Sequence, residues 1–314
     1  MAKLQNLKVK YMTQKKTTSL TLPEHEYALS GNRACMGCGL AIAYRHGLKA
    51  LGQDTILTVP ACCLTVLQGM YPVSSMTVPC LNTAFETTAA SASGIKAALR
   101  ALGRTSTTVV GWAGDGGTAD IGIQALSGAA ERNTDFIYVC YDNEGYMNTG
   151  TQRSGSTPKG AFTTTTPDGK LEHKKDMALI MAAHKIPLVA TASPSYPPDL
   201  YDKFILAKGM NGTRYLHIMI PCPPGWGYEP SMTVQLGRMA VECGIFDLYQ
   251  IVDGEFSFTG HSRRIAEGLA RKPVSEYIEL QSRFKSIHPE TVIEMQTMVD
   301  SKWANYAKMG YCDA

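Results

Sequence analysis

No stretch of 18 consecutive apolar residues occurs in this 314-residue sequence, which argues against a membrane-spanning helix. The opening residues, Met1 to Lys8, hold no apolar signal core, so the cytosol is the expected compartment. Internal repeats and low-complexity blocks are missing. Thirty basic against 27 acidic residues leave a net charge of only +3, spread along the chain, and that gives no nucleic-acid footprint. The Lys15-Lys16 and Lys174-Lys175 pairs read as solvated faces. Nine cysteines are too few for a small disulfide scaffold, and the seven histidines are scattered. What is present, 44% apolar and 18% charged residues, lies in the globular range.

Thr107 to Trp112 is a β-branched apolar run, Ala119 to Arg132 is helix-compatible, and Asp135 to Tyr141 is a second apolar run. Together they predict a β-α-β unit. Between its first strand and helix stands Gly114-Asp115-Gly116-Gly117, and Asn143 follows Asp115 by 28 positions. Ligands of such units sit beyond the carboxyl ends of the strands, where both residues fall. A diphosphate can rest on the amides that open the helix, and the glycines are expected to let the backbone come close to it.

Gly114, Gly116 and Ala119 also fit the loose dinucleotide fingerprint. That reading needs a ribose-binding acid about 20 residues further on, but Asp135 opens a strand and Asp142 comes late. Asp115 between the glycines would repel a bare pyrophosphate. A divalent cation between them removes the repulsion, so Asp115 implies Mg²⁺. Magnesium takes near-octahedral oxygen coordination from a few protein oxygens plus ligand phosphates, and Asp115, the Asn143 amide and a carbonyl near Gly145 suit it.

A second constellation joins Cys35 and Cys38 in a C-x-x-C, the adjacent pair Cys62-Cys63, and Cys222 within Pro221-Cys222-Pro223-Pro224-Gly225-Trp226. Four thiolates can hold one [4Fe–4S] cluster. Taken alone, the C-x-x-C equally permits half a zinc site or a redox dithiol. Cys80, Cys140, Cys243 and Cys312 show no metal spacing and read as structural.

The run Gly114-Asp115-Gly116-Gly117 with Asp120, then Glu131-Arg132-Asn133, Asp142-Asn143-Glu144, Tyr146, Asn148-Thr149-Gly150, Gln152-Arg153-Ser154 and Thr157-Pro158, resembles the β subunits of the 2-oxoacid:ferredoxin oxidoreductases. The resemblance covers most of residues 25 to 290. It implies a thiamin diphosphate site in which Asp115, Asn143 and the Gly145 carbonyl ligate Mg²⁺. Gly114, Gly116, Gly117 and Tyr146 would border the cofactor, and Asn143, Asn148 and Thr149 would serve the chemistry, the last two on the loop reaching the thiazolium and substrate. It also implies a proximal [4Fe–4S] cluster on Cys35, Cys38, Cys63 and Cys222, with Cys63 favoured over Cys62 by position. The family's reaction is oxidative decarboxylation of a 2-oxoacid, with electrons passing singly to the cluster and on to ferredoxin.

In that family an α-type subunit carries the pyrimidine side of thiamin, including the glutamate that works on the aminopyrimidine, and γ/δ-type subunits carry further clusters. Glu86 is therefore expected to pair or cap locally, and the isolated chain to be inactive. The oxalate-oxidising branch is the closest impression, with pyruvate and coenzyme A the alternative. An iron–sulfur electron-transfer module without thiamin is the alternative of another class.

The expected fold is α/β, a doubly wound and mostly parallel sheet of the thiamin diphosphate-binding type. Residues 1–28 are expected to form an arm, 29–253 the cofactor domain with its N-terminal cluster segment, and 254–314 a C-terminal extension. Helices are predicted over Ala41 to Leu51, Asn82 to Leu102 with Gly103 as stop, Pro198 to Met210, Met232 to Cys243 and Pro289 to Lys308. Further strands are predicted at Thr55 to Val59, Ile186 to Ala190, Tyr215 to Ile220 and Phe246 to Val252. Gly150 to Lys175, rich in Thr, Ser, Gly and Lys, reads as a long loop over the cofactor instead of a packed element. The tail, with Val292, Met295, Met298, Val299 and Trp303 at helical spacing, is expected to be core or subunit interface, without chemistry.

Overall fold

Apolar runs rich in β-branched and aromatic residues become the strands of one eight-stranded sheet in a computed structural model, which describes residues 17–312. They are β1 Thr55–Pro60, β2 Cys80–Thr83, β3 Thr108–Gly114, β4 Phe136–Asp142, β5 Leu188–Ala192, β6 Thr213–Met219, β7 Tyr249–Val252 and β8 Glu255–Phe258. Their spatial order is β2-β1-β3-β4-β6-β5-β7-β8. The first six are parallel, and β7 and β8 add antiparallel at one edge. Every residue of β4 and of β6 is buried, as a parallel sheet covered on both faces requires.

The covering helices are α1 Gly39–Leu51, α2 Cys63–Gln68, α3 Thr88–Ala101, α4 Ile123–Glu131, α5 Met177–Ala183, α6 Pro197–Gly209, α7 Pro223–Trp226, α8 Thr233–Glu242, α9 Gly260–Ala266, α10 Val274–Ile278 and α11 Pro289–Lys308. Leu40 and Leu48 of α1, Leu64 of α2 and Phe204 of α6 pack with Val110 and Leu216 in one core. Ala92 of α3, Leu126 of α4 and Leu236 of α8 pack with Tyr138 and Tyr215 in the other. The doubly wound α/β expectation is met.

Topology decides where a site can form. After β1 the chain runs outward to β2 and returns to the far side of β1 as β3; later it passes to β5 and returns as β6, between β4 and β5. Each reversal opens a crevice at the carboxyl ends of the strands, where ligands of such sheets bind. The neighbouring strands β1, β3, β4 and β6 are followed respectively by Cys62-Cys63, Asp115, Asn143 and Cys222.

Several expectations shift. The helix foreseen from Asn82 begins only at Thr88, because Asn82 sits opposite Val59 in edge strand β2. Before α4 the chain makes a π-helical turn over Gly116–Asp120. The strand foreseen from Phe246 begins at Tyr249. It continues into β8 through Asp253 and Gly254, whose φ values of 49° and 87° suit a tight hairpin turn. The expected division at 253/254 falls in that turn, and Phe258, Ile278, Phe284, Val299 and Trp303 share a core with Tyr215 and Trp226.

Residues 150–175 carry no helix or regular strand, but they are not a loose surface segment: Ser154, Ser156, Thr157, Ala161, Thr163 and Lys170 are buried. Along the tail Met295, Val299 and Trp303 are buried, whereas Met298 is exposed. Residues 1–16, with the Lys15-Lys16 pair and most of the expected arm, lie outside the described residues. Of the rest of the arm, the Pro23 carbonyl accepts from Lys49 Nζ and Glu26 pairs with Arg45. No helix of the described residues is long and apolar enough to cross a membrane.

Candidate functional site

Parallel pairing of β3 with β4 sets Gly114 opposite Tyr141, so the two chain segments that leave these strands run side by side. The side-chain amide oxygen of Asn143 stands 2.9 Å from the Gly145 carbonyl oxygen and 3.0 Å from Asp115 Oδ1. Asp115, Asn143 and Gly145 are all buried. In this orientation the Asn143 oxygen faces two acceptors and makes no hydrogen bond with either. Turning the amide over would convert both contacts to hydrogen bonds, and a cation among them would convert them to ligands. Octahedral magnesium with bonds of about 2.0–2.1 Å sets neighbouring oxygens about 2.9 Å apart, so this donor set fits it.

Electrostatics separates the two aspartates. Burial, then the charge of Asp142, pushes the Asp115 carboxyl well above the usual carboxylate range, although Ser154 Oγ donates to its Oδ2. Burial also works against ionising Asp142, but Lys174 and His217 overcome it and hold Asp142 below its ordinary value. Lys174 Nζ lies 3.2 Å from Asp142 Oδ2 and 2.9 Å from Glu144 Oε1, and His217 Nε2 lies 2.9 Å from Asp142 Oδ2. Lys174 is thus an ion-pair partner of the site, against the expectation of a solvated face. Its neighbour Lys175 pairs with Asp120.

Glu144 turns the chain between Asn143 and Gly145. Its φ of 66° lies in the left-handed region, which costs a non-glycine residue about 1–3 kcal/mol unless the surroundings hold it. Here they do. Arg283 Nη2 and Lys174 grip its carboxylate at 2.7 and 2.9 Å, Thr157 Oγ1 donates to its carbonyl at 2.8 Å, and its own amide donates to Asp142 Oδ1 at 2.9 Å. The Asn143 carbonyl accepts from Trp226 Nε1 at 2.7 Å.

Tyr146 donates from its hydroxyl to Asp120 at 2.7 Å and lays its ring against Gly116, where a Cβ would stand 2.1 Å from a ring carbon. Gly116 therefore makes room for a tyrosine ring, a reason the sequence reading did not contain. Asn148 and Thr149 are exposed on the rim of the loop, and Thr149 Oγ1 donates to Gln152 Oε1 at 2.6 Å. Glu86 is exposed, just ahead of α3, whose N-cap residue Thr87 turns its hydroxyl to the Ala84 carbonyl and makes no capping bond.

The four singled-out cysteines gather at the same end of the sheet. Cys38 caps α1, Cys63 opens α2, and Cys222 caps α7. Burial raises the Cys63 thiol to about 12, helped by Cys222, Cys62, Cys38 and Cys35, and raises Cys222 equally, helped by Cys38 and Cys35. The Gly39 amide donates to the Pro221 carbonyl at 3.4 Å, so the segments that hold Cys38 and Cys222 meet. Among the described residues no three His, Cys, Asp or Glu side chains converge as ligands of a single ion. Cys62 is buried in one core with Tyr141.

Sequence reasoning missed the roles of Lys174, His217, Trp226 and Arg283. Trp226 lies in the cysteine motif, but nothing in the spacing of Trp226 or Arg283 points at Asn143 or Glu144.

Residues 61–218 match the family model of the thiamine pyrophosphate enzyme C-terminal TPP binding domain, a span holding Asp115, Asn143 and Glu144. Over 287 residues the chain is 49% identical to the pyruvate synthase subunit PorB of Methanothermobacter marburgensis, covering 90% of this chain and 98% of that one. It belongs to the β subunits of the 2-oxoacid:ferredoxin oxidoreductases. Over 300 residues this β subunit is 45% identical to the ketoisovalerate oxidoreductase subunit VorB of Pyrococcus abyssi, covering 92% of this chain and 95% of that one. A solved 2-oxoglutarate:ferredoxin oxidoreductase from Magnetococcus marinus shares its fold, with a TM-score of 0.56, 22% identity and coverage of 68% of this chain and 79% of that one. The β subunit is thus an oxidoreductase subunit with a thiamin diphosphate-binding domain, and a component of a larger assembly. The two relatives are named for pyruvate and ketoisovalerate; oxalate, which the sequence reading puts first, appears in neither name.

Proposed function

We propose that this β subunit supplies the metal-and-diphosphate half of a pyruvate:ferredoxin oxidoreductase that uses coenzyme A. The convergence of Asp115 Oδ1, the Asn143 amide and the Gly145 carbonyl carries the cofactor reading, and the 49% identity to a pyruvate synthase subunit carries the choice of pyruvate over oxalate. Asp115, Asn143 and Gly145 would hold Mg²⁺, with the Gly114–Gly117 segment and Tyr146 bordering the diphosphate. Thiamin diphosphate supplies the carbon nucleophile that adds to a 2-oxoacid carbonyl and takes up the electrons left when CO₂ departs.

This chain's own residues bind, orient and exclude water. Burial of Asp115 disfavours its charge until a cation is there to share it, which ties metal and diphosphate entry together. Asn143 would both ligate metal and set the register of the loop, while Asn148 and Thr149, which are exposed, would serve the substrate and the α-type subunit that completes the pocket. Cys35, Cys38, Cys63 and Cys222 would hold a [4Fe–4S] cluster, a one-electron carrier towards γ/δ-type subunits and ferredoxin.

The test is viologen reduction by the anaerobically purified complex with pyruvate plus coenzyme A, with ketoisovalerate plus coenzyme A, and with oxalate alone. Fastest turnover on pyruvate is expected. Ketoisovalerate as the better substrate would shift the proposal to the 45% identical relative, and reduction by oxalate without coenzyme A would overturn the pyruvate assignment.

A further inference from the structure

We infer that Arg283, acting through Glu144 and together with Trp226, is a positioning residue that aims the Asn143 and Gly145 oxygens at the metal. The inference rests on the reading of Asp115, Asn143 and Gly145 as Mg²⁺ ligands and goes beyond it. Arg283 lies 140 positions beyond Asn143, in a segment to which the sequence assigned no chemistry. It is nonetheless buried against the loop, with 4% of its surface exposed.

Two contacts make it more than packing. Its Nη2 holds Glu144 Oε2 at 2.7 Å, and Glu144 is the left-handed residue whose turn brings the Gly145 carbonyl back to within 2.9 Å of the Asn143 amide. Its guanidinium also stacks 4.0 Å from the centre of the Trp226 ring, and that ring's N–H donates to the Asn143 carbonyl at 2.7 Å. One planar cation therefore braces both sides of the ligand pair. Gln281 Oε1 accepts from its Nε at 2.8 Å and fixes the plane.

Among the described residues, removal of Arg283 leaves Glu144 with Lys174 as its cationic partner, and Lys174 is shared with Asp142. A buried carboxylate so weakened relaxes by unwinding its strained turn, and the Gly145 carbonyl then swings away. Lysine would keep the charge but lose the planar stack and the fixed fork. Trp226 also donates its amide to the Cys222 carbonyl at 2.8 Å, so the same brace joins the cysteine segment to the metal loop.

The experiment uses the assembled complex, stripped with EDTA and titrated with Mg²⁺ at fixed thiamin diphosphate, with cofactor binding read by calorimetry and Mn²⁺ coordination by electron paramagnetic resonance. Outer partners of metal ligands typically cost about 10–100-fold in affinity when removed, and a rise of that size in the Mg²⁺ half-saturation is expected for Arg283→Met. Arg283→Lys should recover part of it. Trp226→Phe, which keeps the stacking ring and loses the N–H, should raise it about 10-fold on the same basis. Cluster iron should stay at the wild-type level in all three. Lowered melting temperature with unchanged half-saturation would reduce Arg283 to a structural role and overturn the inference. If Arg283→Met fails to assemble, Trp226→Phe decides alone. A wild-type complex that binds thiamin diphosphate without any divalent cation would sink the ligand reading itself, and the inference with it.

Discussion

Asp115 Oδ1 and the side-chain amide of Asn143 stand 3.0 Å apart, although 28 positions separate them in the chain. The contact exists because β3 and β4 are parallel neighbours that end at the same level. Its value to a cation is greater than to an apo protein, since burial and Asp142 both oppose the charge on Asp115. Asp115→Ala should therefore abolish Mg²⁺-dependent retention of thiamin diphosphate while the complex stays assembled. Wild-type cofactor content in that variant, measured after gel filtration, would refute the assignment.

The cysteines allow a sharper test than a single knock-out. Cys62 and Cys63 are adjacent, but Cys62 is buried in a core with Tyr141 and Cys63 is only half-buried at the start of α2. Cys63→Ser and Cys222→Ser should each lose cluster iron and leave thiamin diphosphate bound, whereas Cys62→Ala should keep full iron. Iron lost from Cys62→Ala and kept by Cys63→Ser would reverse the choice of ligand.

Gly116 offers a prediction about packing. A methyl group there would meet the Tyr146 ring, which cannot retreat without giving up its 2.7 Å bond to Asp120. Overpacking of this kind costs about 1–3 kcal/mol, so Gly116→Ala should lower stability by that order and loosen the loop from Tyr146 to Gln152. Unchanged urea midpoints together with unchanged amide exchange in the loop would count against it.

Lys170 gives a pH dependence of defined sign. It is buried, its Nζ donates to the Thr157 carbonyl at 2.7 Å, and burial, reinforced by Arg153, lowers its ammonium to about 8. An unfolded lysine titrates near 10.4, so from about pH 8 to about 10.4 the unfolded chain binds more protons and this group's contribution to stability rises with pH. Below that window its penalty is constant. The difference in unfolding free energy between wild type and Lys170→Met should climb through the window; a flat difference would show that the lysine titrates normally.

Much of the fold was legible because its strands are buried on both faces and so read as continuous apolar runs, as at Thr108–Gly114 and Phe136–Asp142. Edge strand β2 was not: only four residues long, it is half exposed and merges with the Ala- and Ser-rich start of α3. The β7–β8 hairpin carried a usable signal in Asp253-Gly254, a dipeptide that favours tight hairpin turns, and the strand after it went unassigned.

The sequence by itself determined the candidate ligand set, because Asp115 among glycines, Asn143 and the spaced cysteines are statements about residue type at short range, and it determined the family through them. Only the tertiary structure decided which partners surround those residues. Lys174 on Asp142 and Glu144, Trp226 on the Asn143 carbonyl and Arg283 on Glu144 are brought together by strand order and by the fold-back of the C-terminal segment. Separations of 30 to 139 positions leave no periodic trace in a sequence, so such contacts appear only when the chain closes on itself.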